Sequence, residues 1–328
     1  MIRFFKSSFF VQYLAICLTG LILWGRAFFE PPLLPEPEGY VPFYSFLFSL
    51  ISGFPVIRVI LGYILVIFSA IMLNRLFYGH NIVQKNSSLT GFIFMILMSY
   101  YPPFLTIHPV NITVFFLLLI ISQLLKSYNR TESLDLVYSA SFMITIGSLF
   151  YSPFIFFFFF ILISFIIFQT LKWRQLVSAL FGLLTPYLFL AVYYFWVDQL
   201  IPKINETLKM FSFSMDLVFL KNPVYLVLSL LIIIGYFYTL VFGLSNRTEK
   251  TIEKKRKNML VNWSIFFVLL SFPFSSTLSA YHIELTFITF SGLIAYYMLQ
   301  IRKQFFQELI LLILILFILA NNLFFLWS

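Results

Sequence analysis

Long apolar runs separated by short polar or charged segments make up most of this chain. Most of the runs approach the about 20 residues that cross a bilayer as a helix. Their number and spacing predict an all-α polytopic membrane protein with about 11 transmembrane helices. The eleven runs are Phe9–Trp24, Val56–Leu73, Leu89–Leu105, Val110–Leu125, Leu136–Tyr151, Pro153–Leu171, Leu176–Trp196, Val224–Val241, Met259–Phe272, Thr286–Leu299 and Phe305–Trp327.

Composition supports the membrane interpretation. Of 328 residues, 61% are hydrophobic and 10% are charged, and the mean hydropathy is +0.98. A soluble domain could not bury so much apolar surface in one core. The single cysteine, Cys17, excludes an intrachain disulfide and a thiolate metal cluster. Phenylalanine is abundant, and we interpret the run Phe156–Phe160 as surface that faces the bilayer.

The distribution of charge predicts the orientation of the chain. Of the 21 Lys and Arg residues, all but Arg26, Arg58, Lys203, Lys209 and Lys221 fall in one alternating set of loops. By the positive-inside rule those loops, including the basic loop at about 245–258, are cytoplasmic. The N-terminus is then cytoplasmic and, with eleven spans, the C-terminus lies outside. The net charge of +9 is explained by these loops resting on anionic headgroups, so no nucleic acid is implied.

Two long outer loops interrupt the helices, at about 26–55 and 197–222. The first contains Val41–Ile51, which is apolar but too short to span, and this segment predicts a helix lying in the outer interface. No soluble domain or internal repeat is visible. The chain is therefore expected to form a single transmembrane domain over residues 1–328.

Candidate site residues gather on the predicted outer face. No phosphate loop, nucleophile elbow, zinc motif or dinucleotide fingerprint is present. Outer carboxylates could act as a general base or bind a divalent cation, histidines could line a cleft, and arginines could hold a lipid-linked phosphate. The alternative is that the acids are merely solvated, that Arg58 reaches headgroups, and that the histidines bond backbone carbonyls. The catalytic candidates are Glu30, Glu36 and Glu38, and the substrate-binding candidates are Arg26, Arg58, His108, Asp198, His282 and Glu284.

The order of these features resembles the integral-membrane glycosyltransferases of the C-type fold. In that fold a first helix with a cytoplasmic N-terminus leads to a long outer loop that carries a catalytic or metal-linked acid and an interfacial helix. The resemblance implies that one acid of the loop Arg26–Pro55 is catalytic. Many of those enzymes have adjacent acids here, whereas Pro37 separates Glu36 from Glu38 in this chain.

A second resemblance is at the level of sequence. Leu73-Asn74-Arg75, Asn86–Leu89 and the segment Asp135–Pro153 resemble an uncharacterised polytopic inner-membrane family of Bacteroidota, known as a domain of unknown function. That family has no assigned activity. The resemblance implies a bacterial inner membrane and a role in envelope biogenesis.

Two functions are consistent with these observations. The first is a transferase that takes a sugar from a polyprenyl-phosphate carrier at the outer face. The second is a non-catalytic subunit, scaffold or transporter of an envelope-assembly or export system. Membrane lipids are expected partners in both, the sugar carrier in the first and other envelope membrane proteins in the second.

Overall fold

The computed structural model describes residue 5 and residues 10–37, 41–83, 87–130, 133–209, 251–275, 278–300 and 304–324. All regular elements within these ranges are helical. The α-helices are α1 (Phe10–Phe29), α2 (Pro42–Ile51), α3 (Pro55–Gly79), α4 (Leu89–Met98), α5 (Pro109–Ser127), α6 (Leu134–Phe150), α7 (Phe158–Phe168), α8 (Trp173–Trp196), α9 (Leu200–Lys209), α10 (Ile252–Ser271), α11 (Ser279–His282), α12 (Glu284–Gln300) and α13 (Gln304–Phe324). Short 3-10 helices form at Pro102–Phe104, Ser152–Phe157 and Phe272–Phe274.

Among the described residues, six helical segments are long and apolar enough to cross a membrane. Each coincides with one of the predicted apolar runs, so the prediction of apolar, helical candidate spans is confirmed for these six. The run Val224–Val241 lies outside the described residues. The six segments are Phe10–Phe29, Pro55–Gly79, Pro109–Ser127, Trp173–Trp196, Ile252–Phe274 and Ala280–Leu299.

Prolines explain where several apolar runs differ from continuous helices. The run Leu89–Leu105 forms an α-helix only as far as Met98, and its end is taken up by the 3-10 turn at Pro102. Proline lacks the N–H that would continue the helix. The segment predicted at Val41–Ile51 forms a separate helix, α2, which has 10 residues and ends before α3 begins at Pro55.

The chain divides into two compact units. Unit 1 consists of Met1–Pro35, Leu50–Asn111 and Phe287–Ser328. Unit 2 consists of Glu36–Ser49 and Ile112–Thr286.

In unit 1, α1 lies antiparallel to α3 and parallel to α4. The amide Nδ2 of Asn74 donates to the Tyr13 hydroxyl at 3.1 Å, and at the other end of the pair the rings of Tyr63 and Phe28 are 6.0 Å apart. The indole of Trp24 donates to Ser99 Oγ at 3.0 Å, directly after α4. The C-terminal ends of α1 and α4 therefore lie at the same end of unit 1 as the start of α3.

In unit 2, α6 and α8 pack closely through polar contacts. A Cβ atom at Gly182 would lie 2.4 Å from the Tyr138 carbonyl oxygen, so only glycine allows this approach. Thr145 donates to the Leu183 carbonyl at 2.8 Å, and the hydroxyls of Ser148 and Tyr187 are 2.7 Å apart. Small residues and interhelical hydrogen bonds are the usual means by which helices associate in lipid.

The expectation that the Phe156–Phe160 run faces the bilayer is wrong for two of its members. Phe157 and Phe160 are both 0% exposed, and their rings lie 6.5 and 5.7 Å from that of Phe267 on α10. Phe159 is half exposed. The run starts within a 3-10 helix and continues into α7, so Phe157 and Phe160, three positions apart, lie on the helical face that contacts α10. A count of apolar residues does not reveal this face.

Candidate functional site

The antiparallel packing of α1 and α3 brings three of the candidate residues to one end of unit 1. Arg26 lies in the last turn of α1, Glu30 directly follows this helix, and Arg58 lies in the first turn of α3. His108 joins them from the turn before α5, because the Ile107 amide donates to the Arg58 carbonyl at 3.1 Å. The four residues thus share this end of the unit.

Arg26 and Glu30 form an ion pair one helical turn apart. Both Nε and one terminal nitrogen of Arg26 lie 3.0 Å from Glu30 Oε2. The side chains are 27% and 59% exposed. An exposed pair of this kind contributes only about 0–1 kcal/mol to stability, so it can exchange partners at low cost.

Arg58 is buried, with 8% of its surface exposed. Its Nε atom has no hydrogen-bond partner among the described residues. The burial follows from Gly62, one turn later, where a Cβ atom would lie 2.6 Å from the Ile107 nitrogen. The turn before α5 can therefore approach α3 closely enough to cover the arginine.

The turn between α4 and α5 adds further buried polar groups. Thr106, His108 and Asn111 are all 0% exposed. His108 Nδ1 accepts the Asn111 backbone N–H at 3.2 Å, which caps the start of α5. In the described part of the chain, Thr106 Oγ1 and both side-chain amide atoms of Asn111 lack a partner. We call Arg26, Glu30, Arg58, Thr106, His108 and Asn111 the polar end of unit 1.

Two buried tyrosines lie in the turn between α4 and α5. Tyr100 and Tyr101 are 5% and 8% exposed. Their phenol hydroxyls can donate and accept hydrogen bonds without adding charge to this end of unit 1.

His282 lies in unit 2, within a network of hydrogen bonds. Its Nε2 is 2.8 Å from the Val268 carbonyl oxygen and 3.2 Å from Ser271 Oγ. Since a carbonyl only accepts, Nε2 carries the proton, and Nδ1 accepts from the Tyr151 hydroxyl at 2.8 Å. The side chain of Tyr151 is also hydrogen-bonded to the side chain of Ser275. This arrangement matches the alternative in which a histidine is satisfied by a backbone carbonyl.

The remaining candidates are distributed over unit 2. Glu284 begins α12 and is 0% exposed. Asp198 and Glu36 are exposed, and Asp198 adopts a left-handed conformation with φ 56° just after α8. Glu38 lies outside the described residues. Asp198, His282 and Glu284 belong to the same end of unit 2, because α6 and α8 are parallel and Tyr151 follows α6.

The polar end of unit 1 has the chemistry of an anion site more than that of a metal site. Within the described residues, no three side chains of His, Cys, Asp or Glu form a group that could hold a metal ion. The buried donors are instead a guanidinium, a hydroxyl and a carboxamide. Sequence reasoning identified Arg58 and His108 but missed Thr106 and Asn111, whose only signal was their position in the same short turn.

No protein-family model matches the chain, and neither a curated protein nor a solved structure is significantly similar to it.

Proposed function

We propose that this chain is an integral inner-membrane protein of bacterial envelope biogenesis that takes a sugar from a polyprenyl-phosphate carrier at the outer face. The resemblance to the C-type glycosyltransferases motivates the reaction, and that to the Bacteroidota family motivates the location. Support from the structure comes from the polar end of unit 1.

The observation that carries the proposal is the buried Arg58. A guanidinium covered by protein is costly unless an anion or hydrogen-bond acceptor compensates it. Within the described residues its Nε atom lacks a partner, as do Thr106 Oγ1 and the amide of Asn111. Arginine, hydroxyl and amide donors are the groups that bind phosphate oxygens. A lipid-linked phosphate would satisfy these groups from the membrane side.

The Arg26–Glu30 pair suggests how a base could be provided. An incoming phosphate competes with Glu30 for Arg26, since the ion pair is exposed and weak. If Arg26 pairs with the phosphate instead of with Glu30, the Glu30 carboxylate is released. It can then accept a proton from the sugar acceptor. Glu36 and Glu38 remain predicted candidates for the same role, and His108 is proposed to line the site.

The proposal includes the predicted topology of eleven spans, a cytoplasmic N-terminus, an outside C-terminus and a single domain over residues 1–328. The distribution of charged residues between the two ends of unit 2 supports this topology. The described basic segments 126–130, 169–174 and 251–257 lie at one end of the unit, and Asp198 and Glu284 lie at the other. Helix α2 is proposed to lie in the outer interface, where its 10 residues, about 15 Å long, are too short to span.

Binding of the carrier tests the proposal directly. Native mass spectrometry of the purified chain should show retention of a polyprenyl phosphate and not of the matching polyprenol. Arg58→Gln should weaken binding of the phosphate by about 10-fold or more, because a hydrogen bond to a charged group is worth about 1.5–3 kcal/mol. Arg75→Gln, an exposed position near the other end of the same helix, is the matched control. Equal binding of alcohol and phosphate by the wild type would overturn the proposal.

A second candidate function, that of a non-catalytic subunit, is favoured by an exposed apolar flank of α8. Phe181, Leu188 and Phe189 are 61%, 60% and 74% exposed. This flank could pack on a partner membrane protein as well as on lipid. If Glu→Gln variants leave the carrier-sugar pool unchanged while Phe189→Ser blocks envelope assembly, the subunit hypothesis is preferred.

A further inference from the structure

Three basic segments of unit 2 converge at one end of the unit. They are residues 126–130 after α5, residues 169–174 before α8, and residues 251–257 at the start of α10. Arg256 donates to Gln169 Oε1 at 2.7 Å, and the ammonium of Lys257 lies 5.5 Å from the centre of the Tyr128 ring. The rings of Tyr128 and Phe168 are 5.1 Å apart. We call these three segments the basic end.

The basic end has a strong excess of positive charge. Its only acid is Glu253, which forms an ion pair with Lys257. The side chains of Lys172, Arg174 and Lys255 are exposed. The cations of the basic end are Lys126, Arg130, Lys172, Arg174, Lys254, Lys255, Arg256 and Lys257.

Large apolar side chains are exposed among these cations. Leu171, Trp173 and Ile252 are 59%, 70% and 73% exposed. The guanidinium of Arg174 lies 5.9 Å from the centre of the Trp173 ring. Apolar groups that alternate with cations are typical of protein surfaces that sit at the boundary between headgroups and acyl chains.

The position of the basic end relative to the candidate spans identifies the ligand. Three of those spans end or begin there: Pro109–Ser127, Trp173–Trp196 and Ile252–Phe274. If these helices cross a bilayer, the basic end lies at the level of the headgroups. A soluble polyanion would leave Trp173 and Ile252 in water, whereas a lipid covers them and presents its phosphate to the cations.

We infer that the basic end of unit 2 is a binding surface for anionic phospholipid, with Lys172, Arg174 and Lys255 holding headgroup phosphates and Trp173 inserted beside the acyl chains. The Arg256–Gln169 bond fixes the left-handed turn at Gln169, φ 57°, and so holds the segments together. The side chains of Lys172, Arg174 and Lys255 are exposed, whereas that of Arg256 is partly buried and that of Lys257 is buried. The three exposed cations therefore reach lipid headgroups most readily.

The test compares the wild type with a triple variant, Lys172→Gln, Arg174→Gln and Lys255→Gln. The full chain is placed in nanodiscs that contain zwitterionic phosphatidylcholine and anionic phosphatidylglycerol, and the retained lipids are counted by mass spectrometry. Each cation near an anionic surface contributes about fivefold to binding, so the preference for the anionic lipid should fall about 100-fold. The exchange Lys172→Arg, Arg174→Lys and Lys255→Arg keeps the charge and should keep the preference. Lys203→Gln, after the other end of α8, should also keep it.

A measurement on the wild type makes the inference independent of the folding of the variant. Brominated phosphatidylglycerol should quench the fluorescence of Trp173 more than brominated phosphatidylcholine does, with Trp173→Phe defining its share of the signal. Equal quenching would overturn the inference, as would an unchanged preference in the triple variant. Displacement of the lipid by millimolar inorganic phosphate would identify a site for free phosphate and would also overturn it.

Discussion

The hydroxyl of Tyr151 lies 2.8 Å from Nδ1 of His282, a residue 131 positions later in the chain. The bond connects the end of α6 to α11 and, through Nε2, to the Val268 carbonyl of α10. Pro273 lies in the 3-10 turn that follows α10, where it prevents α10 from continuing as an α-helix into α11. The relative position of α10 and α11 is therefore not fixed by a continuous helix. The histidine therefore joins three elements of unit 2 at a break.

Removal of the tyrosine hydroxyl should weaken unit 2. Tyr151→Phe leaves the buried Nδ1 of His282 without its donor, and we expect a loss of about 1 kcal/mol in the free energy of unfolding. Unfolding of the detergent-solubilised protein by sodium dodecyl sulfate measures this change. Tyr193→Phe, at a position 60% exposed on α8, is the control and should be neutral. Equal stability of both variants would show that the bond contributes nothing.

The contact between α6 and α8 makes Gly182 intolerant of any side chain. Gly182→Ala places a carbon 2.4 Å from the backbone oxygen of Tyr138, which cannot rotate away. The helices must separate, and overpacking of this kind costs about 1–3 kcal/mol. Thermal unfolding followed by helical circular dichroism should show the loss. A Cβ atom at Gly25 on α1 would meet nothing within 4 Å, so Gly25→Ala should not lower the transition. A similar transition in both variants would contradict the predicted clash.

Prolines made several helix boundaries predictable. Helices α2, α3 and α5 begin at Pro42, Pro55 and Pro109, where a proline fits the first turn. Hydropathy was less accurate at charged ends. Helix α10 begins at Ile252, whereas the apolar run begins at Met259. Hydropathy marks the hydrocarbon boundary, but backbone hydrogen bonds continue into the headgroup region, where Lys and Arg are helix formers.

The candidate site was predictable only where a residue was rare for its surroundings. Arg58 was identified because charge is scarce in the apolar runs. Thr106 and Asn111 became visible only through the close approach at Gly62, which depends on how α3 packs against the turn before α5. Tyr151 and His282 are likewise far apart in sequence. Contacts of this kind depend on the register between helices, and a single sequence does not encode that register in any local pattern.

The two ends of α8 should lie on opposite sides of the membrane. Arg130 belongs to the basic end, which the positive-inside rule places in the cytoplasm, and Gln199 follows the other end of α8. Both are exposed. Cysteines introduced singly at these positions, in a Cys17→Ser background, are treated in intact cells with a membrane-impermeant maleimide. Gln199→Cys should be labelled from outside, and Arg130→Cys only after lysis. The reverse pattern would establish the opposite orientation, and labelling of both from outside would mean that α8 does not cross the bilayer.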